Sequence, residues 1–326
     1  MTHSRIAAGT DDLAALTELA QALLAPAVER LSRGYARLVA AFARQPAAVP
    51  HERHRALAGA VERQAEAAMR ALVLRSYPGH AVVGDTVGTA EPDACTWVLD
   101  AVDGTGAMIR TARAEALGAT LPDPAPAFAV TVAVLCGDRS VVGVVGQLRP
   151  HAGGLAVARV WTGALGRHTT CDTAPVFPGS AAGVAAATLA STAPEVMFGT
   201  PRAWATFQAL RDRSAAHVAD QNCIGFLRLL GAGVELAVER DLDLSDAAAL
   251  IPILQGAGIV VTDHDGHPVR FEPAARAGEY ALLAATPALH AEALAVLRAG
   301  LGDDENDFRF QLGLHQEYTR KFRGDE

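Results

Sequence analysis

One stretch decides how this chain can be interpreted: Trp97-Val98-Leu99-Asp100-Ala101-Val102-Asp103-Gly104-Thr105. An apolar strand over residues 96–99 leads directly into two carboxylates separated by two residues, Asp100 and Asp103. At the end of a strand such a pair can point into one cavity, and the carbonyl of Val102 can join them as a third oxygen. Hard oxygen ligands suit Mg²⁺, which takes carboxylates together with waters and substrate phosphate.

The same stretch ends in residues that can begin a helix. Gly104 and Thr105 can open a helix whose free N–H groups accept a phosphate. A solvated, Asp-rich turn with a helix cap is the other interpretation, because Asp-Gly-Thr is also common in turns.

Two further acids follow predicted strands. Asp246 lies at the start of a helix rich in Ala, Leu and Ile, and Asp85 follows the short strand 81–83. Asp246 taken alone also fits a simple first-turn acid of that helix. Together with Asp100 and Asp103, these acids form a plausible oxygen cage.

Hydrophobic periodicity and turn residues give the order of elements. The predicted helices span 11–47 (bent or split at Pro26), 51–76, 201–213, 222–233, 245–256 and 287–300. The predicted strands span 81–83, 96–99, 128–135, 140–147, 155–160, 185–191, 234–239 and 258–262. This alternation indicates an α/β or layered α+β architecture. We expect an N-terminal α+β subdomain with the metal-binding loops over 1–175, a C-terminal α/β subdomain over 176–300 and a charged tail over 301–326.

Residues 106–127 resemble an excursion from this order. They contain Arg110, Arg113 and three prolines. Such a segment can be a lid or specificity loop whose arginines reach a phosphate, or a solvated insertion.

Composition excludes several classes of protein. The 326 residues carry 28 Lys+Arg and 36 Asp+Glu, a net charge of −8, which argues against a general nucleic-acid or membrane-surface binder. The only lysine, Lys321, excludes a Walker-A loop. Four scattered cysteines without a C-x-x-C pair, and no apolar stretch of signal-peptide or membrane-spanning length, predict a cytoplasmic protein with mostly buried thiols.

The quoted stretch resembles the first signature of the inositol monophosphatase family, W-x-x-D-P-[IL]-D-G-T. Residues 245–266 resemble the second signature of that family, and Gly84-Asp85 resembles its G-E-E turn. Residues 247–258 and 191–194 are most similar to bacterial histidinol-phosphate phosphatases. The resemblance covers about residues 11–297 and implies an α+β, layered αβαβα sandwich with two mixed sheets between helices.

The resemblance also implies roles for individual residues. Two or three Mg²⁺ ions would be held by Asp85, Asp100, the Val102 carbonyl, Asp103 and Asp246. Asp85 and Thr105 would serve catalysis, Thr105 by positioning the attacking water. The substrate would be held by the Gly104 and Thr105 amides at its phosphate and by Asn222, Glu239 and Asp246 elsewhere.

The implied reaction is Mg²⁺-dependent hydrolysis of a small polar phosphomonoester by a metal-activated water. Histidinol phosphate, inositol phosphate and sugar phosphates are the expected substrates. The likeness of the second half favours histidinol phosphate. Asn222, however, stands where the histidinol-phosphate enzymes have Asp, which weakens that case and leaves room for a neutral polyol or sugar phosphate. The oligomeric state is left open, and a homodimer is one possibility because family relatives are often dimers.

Departures from the family pattern keep a second function open. Asp85 and Thr86 replace the two glutamates of G-E-E, and Glu62 falls where the family has Asp. These changes are compatible with a catalytically weakened member that binds a phosphorylated ligand or acts as a structural partner.

Overall fold

The computed structural model describes residues 10–45, 52–84, 95–121, 127–219, 222–231, 233–272 and 278–300. The chain divides into two compact units, each formed from separate segments. The first unit comprises 1–175, 244–256 and 270–275, and the second comprises 176–243, 257–269 and 276–326. The segment 244–256, which the sequence assigned to the C-terminal subdomain, therefore belongs with the first unit. The predicted tail, 301–326, lies outside the described residues.

Four helices form one side of the first unit. They are α1 (Thr10–Ala22), α2 (Leu24–Arg44), α3 (Glu52–Ser76) and α4 (Thr105–Leu117). The predicted split near Pro26 is confirmed, because α1 ends just before Leu23 and Pro26 lies in the first turn of α2, where its missing N–H is tolerated. One face of α2 is buried at helical spacing, through Leu24, Ala27, Leu31, Gly34, Tyr35, Leu38 and Phe42.

These helices pack on a seven-stranded sheet whose strands follow chain order. The strands are β1 (Ala81–Gly84), β2 (Cys95–Asp103), β3 (Ala129–Cys136), β4 (Arg139–His151), β5 (Gly154–Ala164), β6 (Thr170–Cys171) and β7 (Ala174–Pro175). β1 runs parallel to β2 and the other neighbours are antiparallel, so the sheet is mixed as predicted. The hairpin predicted around Gly137 is confirmed by the pairing of Cys136 with Arg139.

The segment around Asp246 lies on the opposite face of this sheet from α2. It forms two short helices, α8 (Leu244–Ala247) and α9 (Leu250–Gly256), where a single helix was predicted. Glycines allow the close approach: a Cβ on Gly143 would collide with the Ala249 carbonyl, and one on its cross-strand partner Gly163 would collide with the backbone of Ile253. Gly146 lies three residues after Gly143 on β4, and residues an odd number apart on a strand point to opposite faces of the sheet. Gly146 accordingly faces Leu24 of α2.

The predicted excursion over 106–127 is wrong for residues up to 117. Those residues form α4, which buries Ala107, Met108, Ile109, Thr111 and Ala112 and ends at Gly118 in the left-handed conformation (φ 61°). The Tyr35 hydroxyl donates to Glu115 at 2.8 Å and anchors the end of α4 to α2. The three prolines lie in 122–126, outside the described residues.

The second unit is a five-stranded mixed sheet with helices. Its elements in chain order are β8 (Thr188–Ala190), α5 (Pro194–Met197), α6 (Pro201–Arg211), β9 (Ala216–Val218), α7 (Cys223–Leu227), β10 (Leu236–Leu242), β11 (Val260–Thr262), β12 (Tyr280–Ala285) and α10 (Pro287–Gly300). The strand order is β11-β12-β10-β8-β9, with β8 parallel to both of its neighbours. The apolar faces of α6 and α10 pack on this sheet. Two mixed sheets with helices are therefore present, as predicted.

Among the described residues, no helix is both long and apolar enough to cross a bilayer.

Candidate metal centre and active site

A β-bulge gives Asp100 and Asp103 a common face of the sheet. In a regular strand, residues three apart point to opposite faces. Here Asp100 pairs with Thr131 and Asp103 with Ala129, so three steps along β2 match two along β3. The extra residue turns both carboxylates to the same side. Bulges are common beside active sites for this reason.

The third carboxylate of the site is brought in by α8. Thr131, the cross-strand partner of Asp100, donates a hydrogen bond of 3.2 Å from its hydroxyl to the carbonyl of Ser245. This bond fixes the residue that immediately precedes Asp246. Ligand oxygens of Asp100, Asp103 and Asp246 all lie within 4.8 Å of one another.

The environment of these carboxylates disfavours three uncompensated charges. Asp100 is 7% exposed and Asp103 is 8% exposed, whereas Asp246 is half-buried. Like charges held together away from water repel strongly unless a cation or bound protons balance them. Oxygens that share one hard cation at a metal–oxygen distance of about 2.0–2.1 Å lie within this mutual spacing. The donor set therefore fits Mg²⁺.

The loop between the acids is held by local hydrogen bonds. The Val102 amide donates to Asp100 Oδ1 at 2.8 Å. Gly104 then adopts a left-handed conformation (φ 95°) that few other residues tolerate, and α4 begins at Thr105. The first intrahelical bond runs from the Met108 amide to the Gly104 carbonyl, which leaves the earlier amides of α4 without intrahelical acceptors.

Thr105 has a carboxylate partner that the sequence did not reveal. Its hydroxyl lies 2.7 Å from Glu62 Oε1 on α3 and 3.4 Å from the Val102 carbonyl. The shorter, charge-assisted bond to Glu62 is the stronger one. Glu62 is only 8% exposed. Glu62 departs from the family pattern in sequence, and the structure gives it a defined contact at the site.

A second buried acid lies one turn further along α3. Glu66 is 1% exposed, and its Oε1 lies 3.5 Å from Arg70 Nη2. Arg70 also donates to the Val82 carbonyl at 2.8 Å, which ties α3 to β1. A Cβ on Gly84 would overlap the Glu66 carboxylate, so this glycine is required by the close approach of the acid. The signal for both acids was their i,i+4 spacing within the buried face of α3, beside Ala58, Ala65, Met69 and Val73.

The other predicted site residues fall elsewhere. Asp85 lies outside the described residues. Glu239, on β10, and Asn222, which precedes α7 with a positive φ of 49°, both belong to the second unit. Glu239 is 2% exposed, and Asn222 is half-buried.

A second group of metal-binding side chains among the described residues is explained by turn geometry. Asp263, Asp265 and His267 have ligand atoms within 4.8 Å of one another. Asp263 Oδ1, however, accepts hydrogen bonds from the amides of Asp265 and His267, at 2.9 and 2.7 Å. These bonds close the turn after β11, and the group is mostly exposed.

Comparison with solved structures supports this architecture. An inositol monophosphatase from Zymomonas mobilis superposes with a TM-score of 0.61 at 24% identity, over 83% of this chain and 96% of that one. Staphylococcal IMPase-II gives a TM-score of 0.65 at 16% identity, over 94% and 99% of the two chains. At these identities the likeness establishes the layered α+β fold.

Sequence comparison identifies the family. A relative from Arabidopsis thaliana, named bifunctional phosphatase IMPL2, chloroplastic, is 26% identical over 219 residues, which are 66% of this chain. The match spans 57% of the length of that relative. The model of the inositol monophosphatase family matches residues 12–300. The chain thus belongs to the inositol monophosphatase family.

Proposed function

We propose that the chain is a Mg²⁺-dependent phosphatase that hydrolyses a small polar phosphomonoester. The observation that carries this proposal is the convergence of Asp100, Asp103 and Asp246 within 4.8 Å, next to the start of α4. Membership of a phosphatase family supports the same reaction class.

The chain's own oxygens would hold the metal. Asp100, Asp103, Asp246 and the Val102 carbonyl supply hard ligands, and Asp85 is the further ligand that we expect from the sequence. Two or three Mg²⁺ ions bound to such a set lower the pKa of a coordinated water and offset charge on the phosphoryl oxygens.

Thr105 and Glu62 would orient the attacking water. A hydroxyl that donates its only proton to a carboxylate keeps its lone pairs for accepting a hydrogen bond from water. The bond of 2.7 Å from Thr105 to Glu62 supports that role. Neither residue forms a covalent intermediate in this account, because the water itself attacks phosphorus.

The start of α4 would hold the phosphate. Amides in the first turn of a helix lack intrahelical acceptors and point outward at the positive end of the helix dipole. The amides of Gly104 and Thr105 are placed at this end, directly after Asp103. A phosphate oxygen bound there would meet both hydrogen-bond donors and a favourable field.

For the rest of the substrate, Asp246, Glu239 and Asn222 remain the residues that the family resemblance implies. A buried carboxylate such as Glu239 selects a hydroxyl or amine donor, since it can only accept hydrogen bonds when ionised. The neutral side chain of Asn222 suits a polyol or sugar phosphate better than histidinol phosphate, because it carries no charge to pair with an ammonium group. We also expect the enzyme to be cytoplasmic and to act on a free metabolite rather than on nucleic acid or a membrane.

A catalytically weakened, ligand-binding family member is the second candidate, and the replacements at Asp85 and Thr86 favour it. The contact between Glu62 and Thr105 favours catalysis instead, because the longer Glu side chain still reaches the hydroxyl.

Phosphate release across a substrate panel tests the proposal. The panel contains histidinol phosphate, inositol 1-phosphate, several sugar phosphates and a 3′,5′-bisphosphonucleotide, each with Mg²⁺ and with EDTA. The blank is Asp103→Asn, and Asp212→Asn, a change at an exposed aspartate of the second unit, is the matched control. Turnover that EDTA and Asp103→Asn abolish, and Asp212→Asn preserves, supports the proposal. Turnover in Asp103→Asn equal to that of the unmodified chain would refute it.

A further inference from the structure

Two cysteines face each other across β2 and β3. Cys95 is the first residue of β2 and Cys136 the last of β3, and they are direct partners in the antiparallel ladder. Their Sγ atoms lie 2.8 Å apart. Direct partners in such a ladder have Cα atoms roughly 4.5–5.5 Å apart, inside the roughly 4.4–6.8 Å that a disulfide spans. The backbone therefore already has the geometry that a bond between them needs.

The surroundings of the pair allow a small reagent to approach. Both cysteines are half-buried, although the sequence suggested mostly buried thiols. The turn after Cys136, residues 137–139, is exposed. The pair lies five residues before Asp100, roughly 17 Å along the strand, so it is separate from the candidate metal centre.

Neither of the other two cysteines faces another cysteine across a strand. Cys171 lies on β6 opposite Trp161 and Ala174, and burial raises the pKa of its thiol. Cys223 is buried in α7 of the second unit. They supply matched controls on the same chain.

We propose that Cys95 and Cys136 form an oxidative modification site, at which a low-molecular-weight disulfide such as oxidised glutathione produces an intramolecular disulfide. One protein thiolate attacks a sulfur of the oxidant and releases one small thiolate. The second protein thiolate attacks the resulting mixed disulfide and releases the other. The two protons from the protein thiols end on the two small thiols, so two protein thiols are oxidised while one small disulfide is reduced.

This bond closes a loop that contains the candidate active-site residues of β2 and all of α4. A cross-link between residues 41 positions apart restricts the unfolded chain and stabilises the folded one. We expect the thermal midpoint to rise by about 5–10 °C on oxidation.

Peptide mapping tests the proposal on the full chain. Because the only lysine is Lys321, trypsin cuts mainly at arginines, and the four cysteines fall on four peptides: 76–110, 114–139, 168–202 and 214–228. After equilibration with reduced and oxidised glutathione, we expect 76–110 and 114–139 to be joined, with an intact mass lower by two hydrogen atoms. Cys171→Ser should keep this product and Cys95→Ser should lose it.

The comparison of oxidised with reduced protein needs no variant, so a folding defect in Cys95→Ser cannot mask the outcome. The proposal is overturned if oxidised glutathione leaves both peptides free, leaves glutathione on one cysteine alone, or joins either peptide to one that carries Cys171 or Cys223. A linked pair with an unchanged thermal midpoint would overturn the stabilising role.

Discussion

The Thr105 hydroxyl donates a 2.7 Å hydrogen bond to Glu62 Oε1, which joins the first turn of α4 to α3 beside the converging carboxylates. This bond is the contact through which a residue outside the signature stretch reaches the proposed chemistry. It gives Glu62, which stands where the family pattern has Asp, a direct contact at the candidate site.

Replacement of Glu62 by Gln should lower kcat for phosphate release by about 10- to 100-fold, since the amide oxygen accepts a weaker, uncharged bond and holds Thr105 less firmly. Steady-state kinetics on the active substrate check this. Glu29→Gln, at an exposed glutamate of α2, is the control. An unchanged kcat in Glu62→Gln would remove Glu62 from the mechanism.

Two glycine-to-alanine substitutions should change the free energy of unfolding in opposite directions. Gly143→Ala should destabilise the fold by about 1–3 kcal/mol, because the new methyl group collides with the Ala249 carbonyl and pushes away the segment that carries Asp246. Gly59→Ala, inside α3, meets only Arg63 Nη1 at 3.4 Å and should stabilise by about 0.5–1 kcal/mol. Urea unfolding measures both, and a loss of stability in Gly59→Ala would show that the face of α3 is misassigned.

Acid should destabilise the second unit through His264. Burial, with a contribution from Arg240, lowers the pKa of His264 to about 3 from an ordinary value of 6.5. In the unfolded chain His264 binds a proton below about pH 6.5, whereas in the folded chain it does so only below about pH 3. The free energy of unfolding therefore falls as the pH drops through this window. The slope from this group is about 1.4 kcal/mol per pH unit.

The variant His264→Gln, which keeps polar groups but does not titrate, should show a shallower slope in urea midpoints between pH 6.5 and 4. His217 and His290, whose pKa values burial also lowers, contribute to the slope that is left. Equal slopes in the two proteins would contradict the assignment.

Asp241 should give the stability a pH dependence opposite to that of His264. Burial raises the pKa of Asp241 to about 6 from 3.8, so its contribution to stability is present below pH 3.8 and is lost as pH rises through about 6. Asp241→Asn should therefore stabilise the protein at pH 7.5 by about 1–2 kcal/mol, after allowance for its partial exposure. Asn also tolerates the left-handed backbone at this position (φ 53°).

Urea unfolding at pH 7.5 and pH 4 measures this effect, which should shrink at the lower pH. A gain of the same size at both values would assign it to something other than the charge of Asp241.

The elements of the site were predictable where local chemistry is strong. The run from Trp97 to Thr105 predicted a strand over 96–99, two carboxylates after it and a helix start. The strand and the helix start are present, but β2 continues to Asp103, so both carboxylates lie within the strand. Asp246 at the start of a buried helix was predicted for the same reason. Hydrophobic periodicity also gave the long helices and the hairpin.

What could not be predicted depends on pairing across the chain. The bulge that turns Asp100 and Asp103 to one face is defined by β3, and the bond from Thr131 to Ser245 joins residues 114 positions apart. The sequence predicts an excursion where α4 forms, because three prolines follow the helix within the same segment, 106–127. The pairing of Cys95 with Cys136 likewise depends on the register of β2 and β3, which cannot be inferred from their positions in the sequence.

The thermal midpoint with and without Mg²⁺ tests the central claim, that Asp100, Asp103 and Asp246 hold a metal, without relying on any substrate. A ligand that binds only the folded state raises its stability in proportion to the logarithm of its concentration above the dissociation constant. Mg²⁺ should therefore raise the midpoint of the unmodified chain and of Asp212→Asn. Asp103→Asn should melt at or above the unmodified chain in EDTA, since one of three repelling charges is gone, and should gain little from Mg²⁺. An equal rise with Mg²⁺ in Asp103→Asn and the unmodified chain would contradict the account.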